Sequence, residues 1–274
     1  DVLAKEFKSS FLTRSITALI LIVPIFAIVF FGNNLLFLTA ILATLFFAFH
    51  EWIRNSISRS FIFNHIALLI LFILLFLAPN SLQELTIFIS AVFWILFSFF
   101  LISNSTSRLY FVDFNNAFIR FLVIGSFFLC SYYILEAKTI FSFSNYFLFL
   151  VFVLNAAISD SAAYLSGTYF GKTPLFPEIS PNKTLEGFVG GLLFSALFGV
   201  LIFIISESTP LIIVLMLVGS FYAFVGDYFF SFLKRKSGIK DTGNLLPGHG
   251  GILDRIDSHL SSIPILTSIL ILAF

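Results

Sequence analysis

Charge is what this sequence has least of. Its 274 residues include 15 basic and 14 acidic side chains, 11% in all, where an ordinary soluble domain carries about a quarter. With 59% of residues hydrophobic, a water-soluble globule would have nothing polar to cover itself with. That excludes a soluble enzyme, a nucleic-acid-binding protein and a disordered chain together. Cysteine is nearly absent: Cys130 stands alone in an apolar run, so it can form no intramolecular disulfide and reads as a small lipid-buried hydrophobe. Acids in the first half are scattered while those of the second half cluster, and no repeat relates the halves, which counts against a transporter with its usual inverted repeats. The chain opens on Asp1, and its polar start with Lys5, Lys8 and Arg14 does not read as a cleaved signal peptide. What the sequence has in excess is phenylalanine, 41 residues, set in long apolar runs.

A helix needs about 20 apolar residues to cross a bilayer. Runs near that length lie at roughly 15–31, 35–49, 61–78, 85–103, 117–135, 144–170, 185–206, 210–233 and 259–273. They are continuous rather than alternating, so a β-barrel is not expected. The expected fold is all-α, a polytopic integral membrane protein of about nine transmembrane helices. Gly32, Asn33 and Asn34 join the first two in a tight hairpin. The N-terminus and the connections 50–60, 104–120, 171–184 and 227–258 fall on one side of such a nine-span chain. Together they hold 14 of the 15 basic residues, with Lys138 alone opposite. Basic residues accumulate in cytoplasmic segments, so the N-terminus is expected inside and the C-terminus outside. The chain divides into residues 1–140, helices forming a scaffold, and residues 141–274, a catalytic transmembrane domain.

Before residue 160 the charges are scattered at helix ends: Glu51, Arg54, Arg59, Arg108 and Asp113 read as interfacial anchors, and His50, His65 and His259 likewise. The segment 227–257 differs, holding nine of the 29 charges in 31 residues. Asp227, Ser231 and Lys234 follow i, i+4, i+7, which puts a carboxylate, a hydroxyl and an ammonium on one helix face. Asp254 and Asp257, at i and i+3, share a face and could hold one or two divalent ions. Acids at membrane depth are costly and normally face a cavity or a partner; a salt bridge from Asp227 to Lys234 or Arg235 is the plainer reading. Upstream, Asp160, Tyr164, Gly167 and Gly171 form one helical stripe, followed by Lys172 and by Ser180-Pro181-Asn182-Lys183-Thr184. Ser180 as N-cap with Pro181 at N1 predicts a helix start. Lys183 and Thr184 would add donors for an anion beside its free N–H groups. Gly167, Gly171, Gly187 and Gly191 have the spacing of close helix contacts. His249 could serve as metal ligand, phosphate contact or loop hydrogen-bonder, a weak signal alone.

These residues carry a resemblance. The run Ser231-Phe232-Leu233-Lys234-Arg235, then Lys240-Asp241-Thr242-Gly243, then Leu246-Pro247-Gly248-His249-Gly250-Gly251-Ile252-Leu253-Asp254-Arg255-Ile256-Asp257 resembles the signature of the phosphatidate cytidylyltransferases without a departure. Asp160-Ser161, Ala163-Tyr164, Gly167, Phe170-Gly171-Lys172, Ser180-Pro181, Lys183-Thr184 and Glu186-Gly187 are also similar, over roughly residues 155–260. Leu185 departs, where many relatives place Trp. The resemblance implies an enzyme joining CTP to phosphatidic acid, with Mg²⁺ and a monovalent cation such as K⁺, in the cytoplasmic (inner) membrane with its site on the cytoplasmic face. A homodimer is an expectation from the same analogy and from the glycine-lined faces. Asp227, Asp254 and Asp257 would be metal ligands and, with Lys240 and Arg255, the catalytic set. Asp160, Tyr164, Lys172, Ser180, Lys183, Thr184, Ser231, Lys234, Arg235 and His249 would bind substrate.

The chemistry suits the residues. A phosphate monoester has a second pKa of about 6, so its oxygen is already largely anionic at neutral pH and needs no strong base. The obstacle is bringing two anions together, which calls for metals and basic side chains. A CTP-dependent lipid kinase is the rival enzyme: its alcohol acceptor would need deprotonation, giving Asp160 a base's role. CDP-alcohol phosphotransferases have an aspartate spacing absent here.

Overall fold

The structure, a computed structural model, describes residues 26–273 apart from 27, 29, 58–59, 104–108, 138–140, 208 and 247–249. Eight helices dominate it: α1 (Asn34–Arg54), α2 (Phe61–Leu77), α3 (Asn80–Ile102), α4 (Ala117–Glu136), α5 (Asn145–Phe170), α6 (Leu185–Ser206), α7 (Leu211–Lys236) and α8 (Leu253–Ala273). All but the 17-residue α2 are long and apolar enough to span a membrane. The protein is thus an all-α polytopic membrane protein. The candidate run 15–31 lies almost wholly outside the described residues. The turn after it is present: Gly32, at φ 56°, donates its N–H to Ile28 at 3.0 Å, and Asn33 caps α1 by accepting from Leu36 N at 3.1 Å. A left-handed glycine ends one helix and an Asn cap starts the next.

Two local departures shape the site. Residues 180–184 do not open a helix. Ser180–Thr184 form strand β2, antiparallel to β1 (Pro174–Phe176), with Pro174 opposite Thr184 and Phe176 opposite Ser180. Thr184, not Ser180, is the N-cap of the following helix, its hydroxyl accepting from Gly187 N at 3.2 Å. Pairing with β1 supplies backbone partners to the segment that carries Pro181. The second departure is α8, which begins at Leu253, six residues before the apolar run predicts, so the Asp254–Asp257 segment is its first turn.

Between helices in lipid, association rests on close packing and interhelical hydrogen bonds rather than on hydrophobic transfer. Both are in evidence. Trp94, Phe97 and Phe229 meet edge-to-face with centroids 5.0 and 5.1 Å apart across α3 and α7, and Trp52 of α1 meets Phe230 at 5.3 Å. Such pairs contribute about 0.5–1.5 kcal/mol each beyond burial. Ser90 bonds Ser126 (2.8 Å), Ser159 bonds Ser220 (2.6 Å), and Asn155 donates to the Met216 carbonyl (2.9 Å). Helix α8 sits centrally, packed by α7, α3, α4, α1 and α5. At Gly226 of α7 an added Cβ would lie 2.5 Å from the Asp257 carbonyl, so a bare backbone there lets α7 and α8 close together beside Asp227.

Arg120 is buried (2% exposed) at the start of α4, donating to Asn64 at 2.9 Å and lying over the Phe49 and Phe121 rings.

Candidate active site

The chain brings its acids together from three helices: Asp160 toward the end of α5, Asp227 toward the end of α7 and Asp257 near the start of α8. Asp257 is buried and within electrostatic reach of both Asp227 and Asp160, and Asp160 is within reach of Arg255 and Lys183. The Ser258 hydroxyl, beside Asp257, donates to Asp160 at 3.4 Å. Asp160, read from sequence as a substrate contact, therefore stands among the acids.

Pairing follows from the hairpin. Strand β2 carries Lys183 across to α7, where its ammonium bonds Asp227 and lies over the rings of Tyr228 (4.7 Å) and Phe224 (5.6 Å). Ser231 donates to the other Asp227 oxygen at 3.3 Å, as their i, i+4 spacing predicts. The plainer expectation of a bridge from Asp227 to Lys234 or Arg235 is replaced. Lys234 bonds Asp254 at 2.8 Å, and Arg235 donates to the Ile179 carbonyl at 3.4 Å, which ties α7 to the hairpin turn. The sequence rules out neither pairing; only the hairpin decides between them.

Asp254 and Asp257, expected to act as a pair, diverge. One Asp254 oxygen takes Lys234, while the other accepts from Thr242 N (2.8 Å), Thr242 Oγ1 (2.9 Å) and Gly251 N (3.1 Å). Asp254 thus ties Thr242 and Gly251 to the first turn of α8, while Asp257 Oδ1 accepts from Ser258 N at 2.8 Å. Among the described residues no three His, Cys, Asp or Glu side chains form a metal cage. Mg²⁺ is commonly held by one or two carboxylates together with substrate phosphates, so no such cage is required. The hard oxygen donors of Asp160, Asp227, Asp257 and Ser231 fit that ion in chemistry, whereas Asp254 has most of its acceptor capacity already used.

The remaining predicted residues divide. Tyr164 is exposed one turn beyond Asp160, and Lys172, Lys240 and Arg255 are exposed. Lys172 is placed through its backbone: Glu186 accepts from Lys172 N (3.0 Å) and from Thr173 N and Oγ1 (3.2 and 3.0 Å). Ser180 lies in β2, and Thr184 packs its hydroxyl against Gly167 and Gly187. These glycines thus serve the close approach of α5 and α6. His249 lies outside the described residues. A groove of about 500 Å³ runs along α5, its lining including Ala157, Ser161, Leu165, Ser166, Tyr169 and Phe194.

Sequence reasoning missed Glu51. It was expected as an interfacial anchor; it is buried, at 4% exposure, against the loop and first turn that carry Asp254. The signal available was slight, a single acid near the end of an otherwise apolar run.

Residues 12–273 match the model of the Cytidylyltransferase family. The chain is 46% identical over 137 residues to the phosphatidate cytidylyltransferase of Aquifex aeolicus, covering 48% of this chain and 49% of that protein. It is 39% identical over 147 residues to that of Bacillus subtilis, covering 53% and 54%. The matched stretch spans about half the length of these two relatives. To the phosphatidate cytidylyltransferase of Staphylococcus haemolyticus it is 34% identical over 268 residues, 94% of this chain and 98% of the relative. With a family match running nearly end to end and a relative aligned over almost its whole length, this chain belongs to the Cytidylyltransferase family.

Proposed function

We propose that the protein transfers the cytidylyl group of CTP to phosphatidic acid, giving CDP-diacylglycerol and pyrophosphate. The observation that carries the reading is the acid–lysine cluster at one end of α5, α7 and α8, in a chain whose relatives are named for this reaction. A phosphatidate oxygen attacks the α-phosphorus of CTP; the new O–P bond forms as the bond to the β-phosphate bridging oxygen breaks, and pyrophosphate leaves. The nucleophile is already anionic, so the residues have no proton to remove. Their task is to hold two anions in line.

Lys183 and Lys234 are each engaged by a carboxylate, and an entering phosphate competes first for the more exposed Lys183. Transfer of Lys183 from Asp227 to a phosphate would free that carboxylate. Lys172, Arg235, Lys240 and Arg255 would share the triphosphate, the leaving pyrophosphate and the lipid phosphate with Lys183 and Lys234. Mg²⁺, held by Asp227 and Asp257 with Asp160 beside them, would supply neutralisation of the triphosphate charge. A monovalent cation such as K⁺ belongs to the proposal by resemblance alone. The groove along α5 suits an acyl chain of the lipid substrate, since Leu154, Ile158, Leu165 and Phe194 make much of its lining apolar. We place the site on the cytoplasmic face of the inner membrane with the N-terminus inside, from the basic-residue asymmetry. Catalysis is assigned to 141–274, support to 1–140, and the working unit to a homodimer.

The test is the product formed by purified protein from CTP labelled in the base and phosphatidate. Cytidine retained in the lipid product is expected. Phosphate transfer without cytidine would replace this reading with the lipid kinase, and no reaction at all would refute both.

A further inference from the structure

Glu51 belongs to the last turn of α1, in the half of the chain that contributes nothing to the acid–lysine cluster. A buried carboxylate is costly unless it is paired or fully hydrogen-bonded. Among the described residues Glu51 has no ammonium partner; its bonds all come from the segment that leads to Asp254. One oxygen accepts from Ile252 N at 3.0 Å, the other from Leu253 N at 2.8 Å and Thr242 Oγ1 at 3.2 Å. The first N–H groups of α8 have no partner inside their own helix, and a negative charge there also meets the positive end of the helix dipole. One turn further along α1, Asn55 donates to the Thr242 carbonyl at 2.7 Å. The loop backbone presses directly on the carboxylate: a Cβ at Gly243 would lie 2.5 Å from a Glu51 oxygen, and one at Gly251 would lie 2.8 Å from its carboxyl carbon.

Both ends of the loop 242–253 are thus tied to α1, and the tie continues to Asp254. The Thr242 hydroxyl lies between Glu51 and Asp254, 3.2 and 2.9 Å away, and its single proton serves one of them at a time. Leu253, held by Glu51 through its N–H, is the residue before Asp254. We infer that Glu51 is a positioning residue for Asp254: through Thr242 and the first turn of α8 it sets where the Asp254 carboxylate and its partner Lys234 stand. The inference rests on the proposed cytidylyl transfer for its effect on turnover, and on geometry alone for its effect on the loop.

The test uses the full chain in detergent with a nitroxide on Leu245→Cys, a position 50% exposed within the loop. Cys130 is the sole native cysteine and is fully buried, so labelling is selective. Glu51→Gln turns one acceptor into a donor facing donors. A kcat lower by about 10–100-fold is expected, the range seen when a hydrogen bond orienting an active-site ligand is removed. KM for CTP should change by less than about threefold, because the loss falls on alignment rather than on ground-state binding. The nitroxide spectrum should narrow as the loop gains motion. A kcat within about twofold of the parent, or a loss of kcat with an unchanged spectrum, overturns the positioning role. Should Glu51→Gln fail to fold, Asn55→Ala carries the same two readouts with a smaller loss, and parental values in both overturn it. A parent chain inert toward CTP and phosphatidate would defeat the proposed function instead, and the spectra would still decide whether Glu51 holds the loop.

Discussion

Asp254→Asn is the substitution whose consequences the structure works out furthest. The carboxylate takes four bonds, one from Lys234 on one oxygen and three from Thr242 and Gly251 on the other. An amide has one acceptor atom, so it must turn its NH₂ toward one of these two sets. Turning it toward Lys234 loses the least, a single charge-assisted bond of about 1.5–3 kcal/mol. It leaves an ammonium only 13% exposed with its partner gone, and breaking a buried pair from one side typically costs about 3–5 kcal/mol. For a chain of this size that is a fall in unfolding midpoint on the order of 10 °C. Turnover should drop to near the detection limit, because Lys234 and the loop lose their fixed positions together. The assay is pyrophosphate release in detergent beside a thermal scan. Adding Lys234→Met removes the stranded charge, so the double variant should regain much of the midpoint while turnover stays lost. Near-normal turnover of Asp254→Asn at ordinary Mg²⁺ would refute the role of Asp254. A double variant no more stable than the single one would refute the account of its cost.

Lys183→Ala leaves Asp227 without its ammonium partner and should raise KM for CTP or phosphatidate about tenfold, roughly the 1.4 kcal/mol of one charge-assisted contact; unchanged KM and kcat would remove Lys183 from the site. Gly226→Ala should lower both midpoint and turnover, since its methyl would press on the Asp257 carbonyl, an overpacking cost of about 1–3 kcal/mol; parental behaviour would show that α7 and α8 need not approach so closely. Chelation by EDTA should abolish turnover and Mg²⁺ should restore it, while Asp227→Asn should require more Mg²⁺ for half-maximal rate; metal-independent turnover would dismiss the cation from the proposal.

The helices are legible in the sequence because a long apolar run has few stable forms in lipid other than a helix. The runs predicted from 117, 144, 185 and 210 begin within one residue of α4, α5, α6 and α7. Where polar residues interrupt, local pattern loses authority. Ser180-Pro181 has the chemistry of a helix start, and what overrides it is pairing with Pro174–Phe176 across a turn. The first turn of α8 is too polar for a hydropathy run to include, and it is stabilised by a carboxylate two hundred residues away. Helical spacing correctly puts Ser231 beside Asp227, an intrahelical relation, but it cannot say that Asp227 meets Lys183 or that Asp254 meets Lys234.

That exchange of partners bears on how the site can work. Four aspartates near a membrane would repel one another and any triphosphate, and the nearby lysines relieve the first problem by bonding Asp227 and Asp254. The two pairs are not equivalent. Lys183 and Asp227 keep 29% and 27% exposure, while Lys234 and Asp254 keep 13% and 6%. A half-open pair is held by little net free energy, whereas a buried one is expensive to break from either side. A phosphate arriving from water can therefore take Lys183 at small cost and can take Lys234 only by disrupting the loop with it. Lys183, on a short hairpin, is built to change partners; Lys234, locked to the loop that Glu51 anchors, is built to stay.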